Sequence, residues 1–504
     1  MCGPASGAAL PAIPIPSLAL PPTSPFVGSA ASPVPVRGTV TPPQNPFMAA
    51  NGLSEIHNDG WQTDAYRWNG PLGRGLVTAS AYLPPARDCG SLTFDSRGRV
   101  ISICIGVSGP ELYMFDPVTL ATLATFSLPA RTAEDVSLNP NLFQDFSGGG
   151  YFYLDHAGDV VTGTTTRHIY VIGSAAGGFR LRHDYDLSRV LHKDEEITSQ
   201  LPDSHGLLWF TARRDGVVGT LNLGTGAVHV VRFGNGSSGE ITKSLAVDSS
   251  GGVYIPTNRL LYRFVAGAGG IPRISWSASY PNTGVAKIGQ LDAGTGTTPV
   301  ISGPYVAIND NADPMDVVVY RTAVHPSRVV TVVRGRGRHR VRRRRRVRVG
   351  RVVCRVPVFT HGASADENAM IAAGRSFVIE NNSGYTSPLS TSAGALTAPG
   401  FARVEVARSG LGCRLVWTNT VTRAPSVVSK LSLSDGLIYT YTIEPGPSDP
   451  WYWTALSFAT GRVVWKRYAG AGSLFNNNYA GISISPRGVA YLGVLGGLIS
   501  LHDT

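Results

Sequence analysis

The sequence predicts an all-β protein, a single eight-bladed β-propeller with seven blades as the alternative. Three observations predict it. Hydrophobic residues make up 43% of the 504 and charged ones only 15%, with 59 Gly and few amphipathic helical patterns, a balance that suits strands and tight turns. A β-run, a polar turn with Gly and a second β-run return at eight places, marked by Gly98, Gly158, Gly206, Gly252, Gly303, Gly374, Gly436 and Gly488. Most of these units continue into two more strands, as in "ELYMFDPVTLATLATFSLP" and "ALSFATGRVVWKRYAG", and four strands per unit is a propeller blade.

The chain divides, in order, as follows. Residues 1–50 are rich in Pro, Ala and Ser, carry no charge before Arg37, and read as an extended, solvated leader or linker. An apolar stretch and a small-residue region there form half of a secretory signal, without a basic start and with prolines in the apolar part. The propeller occupies 51–504. Turns such as "DSRG", "DHAG", "DSHG" and "DSSGG" supply the backbone angles a hairpin needs, while alternating Val, Ile, Leu and Phe pack sheet on sheet. The eighth copy ends at Thr504 after about three strands, so "GLVTASAYLP" (Gly75–Pro84) is expected to complete it and close the ring. No apolar run of 18 residues follows the first fifty, and no membrane span is expected.

"LNLGTGAVHVV" (Leu221–Val231) and "LSFATGRVVWK" (Leu456–Lys466), with Trp276, Trp417 and Trp465 ending outer strands, resemble the pyrroloquinoline-quinone-like repeat of the quinoprotein alcohol dehydrogenase-like propellers. The resemblance covers roughly residues 75–504 and implies an eight-bladed fold. Quinone-binding members of that group carry a vicinal cysteine pair and a Ca²⁺ site. No two cysteines are adjacent here, which argues against pyrroloquinoline quinone as a cofactor.

The longest unit, between Gly303 and Gly374, contains "VVRGRGRHRVRRRRRVRVGRVV" (Val332–Val353), so residues 329–351 read as an insertion within blade five. Its eleven arginines, Arg334 to Arg351, account for the whole formal charge of +11 and leave the rest of the chain neutral. There is thus no general electrostatic footprint for nucleic acid or anionic lipid, and nucleic acid is a partner only if this run is a genuine basic arm. Two other readings stand beside that one. The first is a disordered loop held open by like-charge repulsion. The second is a stretch read in a shifted frame, suggested by its monotony and by 39 Arg against 5 Lys in the chain. In none of them is a strand pair expected.

The five cysteines are Cys2, Cys89, Cys104, Cys354 and Cys413. A hairpin centred between Ser96 and Arg97 puts Cys89 opposite Cys104, within reach of a disulfide, with two buried thiols as the alternative. Cys354 and Cys413 fall late in blades five and six and can bridge neighbouring outer strands. Paired cysteines point to an oxidising compartment, secreted or in the cell envelope.

Standard catalytic motifs are absent: there is no G-x-S-x-G, no H-E-x-x-H and no phosphate loop. "GNGSSG" (Gly234–Gly239) fits G-x-G-x-x-G, but a strand pattern follows it, so it reads as a blade-to-blade loop. Topology offers more. Loops between second and third strands, and loops entering each next blade, open on one face. The first set carries Arg167 and His168, Arg213 to Asp215, Asn258 and Arg259, Asn309 to Asp316, and Glu380 to Asn382; the second carries Glu195, Glu196, Glu240, Asp366 to Asn368, and Asn476 to Asn478.

A small polar or carbohydrate-like ligand is expected on Asn309, Asp310, Glu380, Asn381, Asn382, Asn476 and Asn477. Ca²⁺ could be held by Asp310, Asp313, Glu380 and Asn381, since it wants six to eight oxygens. The competing reading is that these side chains simply satisfy loop backbone. His168 beside Arg167 is the catalytic candidate, a base next to a cation, and His57, Asn58 and Asp59 could fold over the same mouth. The combined expectation is an exported, bacterial, monomeric binding or scaffold propeller. The alternative is a metal-assisted lyase, lactone hydrolase or quinone-like oxidoreductase using the same face.

Overall fold

The computed structural model describes all residues except 1–11, 107–108, 132–147, 176, 234–238, 335–340, 389–395 and 447. Eight sheets succeed one another as blades 1 to 8, each built on four antiparallel strands, with blade 7 widened to six by Phe26–Gly28 and by Ala65–Tyr66, the latter parallel to its inner strand. Their innermost strands are Arg87–Phe94, Phe152–Leu154, Ile197–Pro202, Ala246–Val247, Val300–Ser302, Ile371–Ala373, Lys430–Ser432 and Ser483–Ile484. In blade 8, Val77–Tyr82 pairs as the outermost strand with Gly497–His502, so the two ends of the propeller close the ring as the sequence predicts.

The repeat turns follow from their composition. Asp95, Asp155, Asp203 and Asp248 each accept backbone N–H groups two and four residues ahead at 2.8–3.2 Å, the Asx geometry that starts a tight turn. Seven of the eight marker glycines have positive φ; in blade 4 it is Gly251 (φ 75°) and not the expected Gly252. Outer-strand tryptophans hold blade to blade. Trp276 Nε1 donates to Thr322 O at 3.2 Å and Trp417 Nε1 to Phe458 O at 3.0 Å, each in the next blade.

The leader is not a free linker over its described part. Phe26–Gly28 adds a strand to the outer edge of blade 7, Val34 and Val36 donate backbone N–H groups to Asp435 O and Leu433 O at 2.9 and 2.8 Å, and Ile15 and Ala31 are buried. An extended chain with free N–H groups pairs with an open sheet edge when one is at hand.

Residues 54–64 are buried throughout and run across the channel as a plug. Their carbonyls accept N–H groups from one inner strand after another: Ser54 O from Leu154, Gly60 O from Val247, Trp61 O from Ile301, Thr63 O from Ala372 and Asp64 O from Leu431, at 2.7–3.0 Å. Inner strands have an unpaired edge by construction, and the plug satisfies it.

The arginine run departs from expectation. Ser327–Arg334 and Val341–Arg348 pair over eight residues as a two-stranded hairpin between the third and fourth strands of blade 5. Val and Thr in the first strand have high strand propensity, and the arginine strand pairs against it. The hairpin's base is fixed by Arg351, stacked 4.3 Å over Trp276 and donating to Val324 O at 2.8 Å. Arg342 to Arg346 are exposed.

Both expected disulfides are present. Cys89–Cys104 bridges adjacent strands with Cα atoms 4.0 Å apart, and Cys354–Cys413 ties the outer strand of blade 5 to that of blade 6. Cys2 and most of Gly234–Gly239 lie outside the described residues. Among the described residues no helix is long and apolar enough to cross a membrane.

Candidate functional site

The stretches entering the inner strands converge at one mouth of the channel. They enclose a narrow pocket of about 20 Å³ lined by residues from seven of the eight blades, with Ile56 and His57 of the plug as its floor. Ser91, Tyr151, Lys243, Thr298, Glu367 and Asn368 supply polar walls. Asp59 and Thr63, on the other side of the plug, line a separate pocket.

His57 Nδ1 lies 3.2 Å from both carboxylate oxygens of Asp64, and Nε2 lies 3.4 Å from Thr298 Oγ1, itself hydrogen-bonded to the Tyr151 hydroxyl. The Lys430 ammonium donates to Asp64 and to Ile56 O. Burial holds the His57 imidazole below its ordinary pKa, and Lys430 adds to this against the pull of Asp64. His57 is therefore uncharged at neutral pH, with one nitrogen oriented by a carboxylate and the other turned to the pocket.

Across the pocket the Lys243 ammonium reaches from the entry to blade 4 to Glu367 Oε1 at the entry to blade 6. Both groups are buried, and desolvation lowers the Lys243 pKa. Asp366 is enclosed, and burial, then the nearby Glu380, raises its pKa well above the usual carboxylate range, against the backbone N–H of Asn368 and the Lys243 charge. Burial also pushes Glu380 up to about 8, despite hydrogen bonds from Ser429 and Asn368.

Most residues expected to bind ligand are engaged with the protein's own loops and backbone. Asn309 Oδ1 accepts from Thr295, Gly296 and Thr297 at 2.7–3.1 Å. Asn382 links Glu367 N (2.8 Å) to Pro425 O (3.0 Å), and Asn381 links Ser383 N to Ala363 O. Asn476 donates to Pro388 O, and Asn477 to Gly493 O at 2.9 Å. Asn478 Nδ2 donates to Asp88 at 3.0 Å, joining blade 8 to blade 1.

The four residues expected to hold Ca²⁺ are not brought together. Asp310 caps Ala312 and Asp316, Asp313 accepts from Gly362 and pairs with His361, and Glu380 and Asn381 are engaged as above. Among the described residues no group of three or more His, Cys, Asp or Glu is placed to hold a metal. These residues, with no adjacent cysteines, do not fit a Ca²⁺–quinone centre.

His168 does not face the channel either. It lies 2.6 Å from Asp184 and 3.7 Å from Asp186 on the outermost strand of blade 2, and the Arg167 guanidinium donates to Leu191 O. A third strand begins well out from the axis, so its first side chain meets the fourth strand. Of the candidates, Asp313 lines a wider depression of about 520 Å³ on the rim of blades 5 and 6, with Lys287 and Arg423.

Sequence reading missed Lys243, Asp64, Lys430 and Tyr151. One cue was available: two of the chain's five lysines stand at the threshold of inner strands, at positions 243 and 430.

No family model matches the chain. An uncharacterised protein of Archaeoglobus fulgidus is 26% identical over 332 residues, 61% of this chain and 61% of that protein's own length. Among solved structures, streptogramin B lyase aligns over 85% of this chain and 98% of its own at 11% identity and a TM-score of 0.42. A europium-containing methanol dehydrogenase aligns over 88% and 89% at 11% identity and 0.49. A catalytically inactive virginiamycin B lyase of Staphylococcus aureus with quinupristin aligns over 85% and 100% at 12% identity and 0.40. None of these three likenesses bears on activity.

Proposed function

We propose that the protein is an exported propeller that binds a small polar or carbohydrate-like ligand at its channel mouth, as a binding or scaffold protein of the cell envelope. The observation that carries this reading is the pocket itself, to which seven blades and the plug bring polar side chains far apart in sequence. Convergent polar groups in a preformed concavity are the usual mark of a ligand site. Two disulfides support an oxidising compartment. The resemblance to quinoprotein-like repeats contributes architecture to this reading and no quinone. The test is thermal unfolding against a panel of monosaccharides, polyols and amino acids. At least one class is expected to raise the midpoint, and Thr298→Val is expected to reduce that rise. A midpoint indifferent to the whole panel would overturn the reading.

One observation favours a second, catalytic reading: the His57–Asp64 pair, whose Nε2 meets the Thr298 hydroxyl at the pocket wall. An oriented neutral imidazole is a general base, suited to a lyase or lactone hydrolase that needs no metal. Turnover of lactones or esters should then fall at least about a hundredfold in His57→Gln and titrate on a limb below the ordinary histidine range. Equal turnover by both proteins sinks this alternative.

A further inference from the structure

The hairpin of blade 5 is a charged element whose strands pair with no blade. No acidic residue lies between Asp316 and Asp366, so nothing along the segment balances Arg328, Arg342 to Arg346 and Arg348, all of them exposed. Its root is nonetheless fixed. Arg351 stacks on Trp276 and donates to Val324 O, while Arg321 donates to Gly350 O at 2.7 Å and to Gly410 O of blade 6 at 2.6 Å. A turn between third and fourth strands opens on the face away from the channel mouth, so what the hairpin meets is independent of the pocket there.

Register distributes the arginines over both faces of this ribbon. Residues directly opposite in an antiparallel pair share a face, and alternate residues share it along each strand. Val329 pairs with Arg346 and Thr331 with Arg344, which puts Arg342, Arg344, Arg346 and Arg348 on one face. Val330 pairs with Arg345 and Val332 with Arg343, which puts Arg328, Arg343 and Arg345 on the other. Along the arginine strand, side chains on one face recur about every 7 Å. Like charges so placed repel one another, and rows of anions on both sides would relieve the repulsion.

We propose that the hairpin is an arm that enters the major groove of B-form duplex DNA. That groove is about 12 Å wide, admits a two-stranded β-ribbon and is walled on both sides by phosphates. A ribbon of eight residue pairs is about 27 Å long, with its strands about 5 Å apart. An anionic bilayer is flat and meets one face of such a ribbon, leaving the arginines of the other without partners. A-form RNA has a major groove that side chains cannot read. Neither strand of the hairpin carries an aromatic ring on which single-strand bases would stack. Guanidinium forks match both phosphate oxygens and the guanine edge.

The test is fluorescence anisotropy of a labelled, mixed-sequence DNA duplex of about 20 base pairs, titrated with the intact chain at rising salt. An oligothymidine of the same length, duplex RNA, heparin and phosphatidylglycerol vesicles are the competing probes. Duplex DNA is expected to bind more tightly than each of them, and its affinity to fall at least about a hundredfold between about 50 and 200 mM salt. Excising 327–349 is expected to abolish binding. Arg343→Gln with Arg345→Gln strips one face, and Arg344→Gln with Arg346→Gln strips the other. Each double variant is expected to bind more weakly and to lower the salt slope by about 2, and both carry the test should the excised chain fail to fold.

Equal or tighter binding of any competing probe overturns the assignment: equality means charge alone, and preference for heparin or vesicles gives the arm to a polysaccharide or a membrane. Unchanged affinity after excision overturns it too. So does a loss confined to one double variant, because a groove must touch both faces. Silence from the duplex at low salt ends the proposal and leaves the reading of the channel mouth as it stands.

Discussion

Asn309 shows how much structure one amide can hold. Its fully buried Oδ1 gathers donors from Thr295, Gly296 and Thr297 at the entry to blade 5, and removing it strands those groups away from water. Asn309→Ala is expected to cost about 2–3 kcal/mol in urea unfolding. Buried carboxyls set a pH dependence with the opposite sign from paired surface ones. Asp59 and Asp88 are raised to about 7 and Glu380 to about 8, each chiefly by burial. A raised carboxyl binds its proton more tightly folded than unfolded. Its stabilisation is therefore full below about pH 4, the unfolded value, and is lost as pH rises through the folded value. Unfolding free energy should fall between about pH 4 and 8, and Glu380→Gln should remove roughly 1.4 kcal/mol per pH unit of that slope. An unchanged slope in the variant would mean that Glu380 is already ionised. At this scale the sequence was only half legible. Asn and Asp were rightly located in loops, but whether an amide faces ligand or backbone depends on a neighbour some forty residues away, as Asn382 and Pro425 show.

Among the elements, the hairpin and the plug stand at opposite ends of one scale. The hairpin Ser327–Arg334 with Val341–Arg348 pairs with itself alone, and its described arginines face solvent. Excising 327–349 is expected to move the thermal midpoint by no more than about 2 °C, as loss of under 1 kcal/mol would in a domain this large. A larger drop would show that blade 5 leans on the hairpin. The plug is the reverse case: eleven buried residues, 54–64, whose carbonyls serve five blades. Periodicity exposed the blade strands because each repeats a hydrophobic alternation and a glycine turn. "SEIHNDGWQTD" has no such alternation, and its burial comes wholly from edges that exist only once the ring has closed.

For the molecule as a whole, closure is the central event. Val77–Tyr82 seals blade 8, while Cys354–Cys413, 59 residues apart, fastens two neighbouring blades. Cross-linking a loop of that length restrains the unfolded chain, so Cys354→Ser is expected to lower stability by about 2–4 kcal/mol. Denaturant midpoints of both proteins under oxidising conditions would check this, and identical midpoints would contradict it.

The sequence by itself determined the repeat and the strand that closes it, brought both cysteine pairs within reach of a disulfide, and marked one face as polar. These follow from local periodicity, turn chemistry and cysteine placement, which act over a few residues or from one blade to the next. Only the tertiary structure decided which polar groups meet. It sent His168 outward to Asp184, committed the asparagines to backbone, and brought His57, Lys243 and Glu367 to one pocket from the plug and two separate blades. The physical reason is that a ring converts separation along the chain into proximity at its axis, and no local pattern records which residues will stand there.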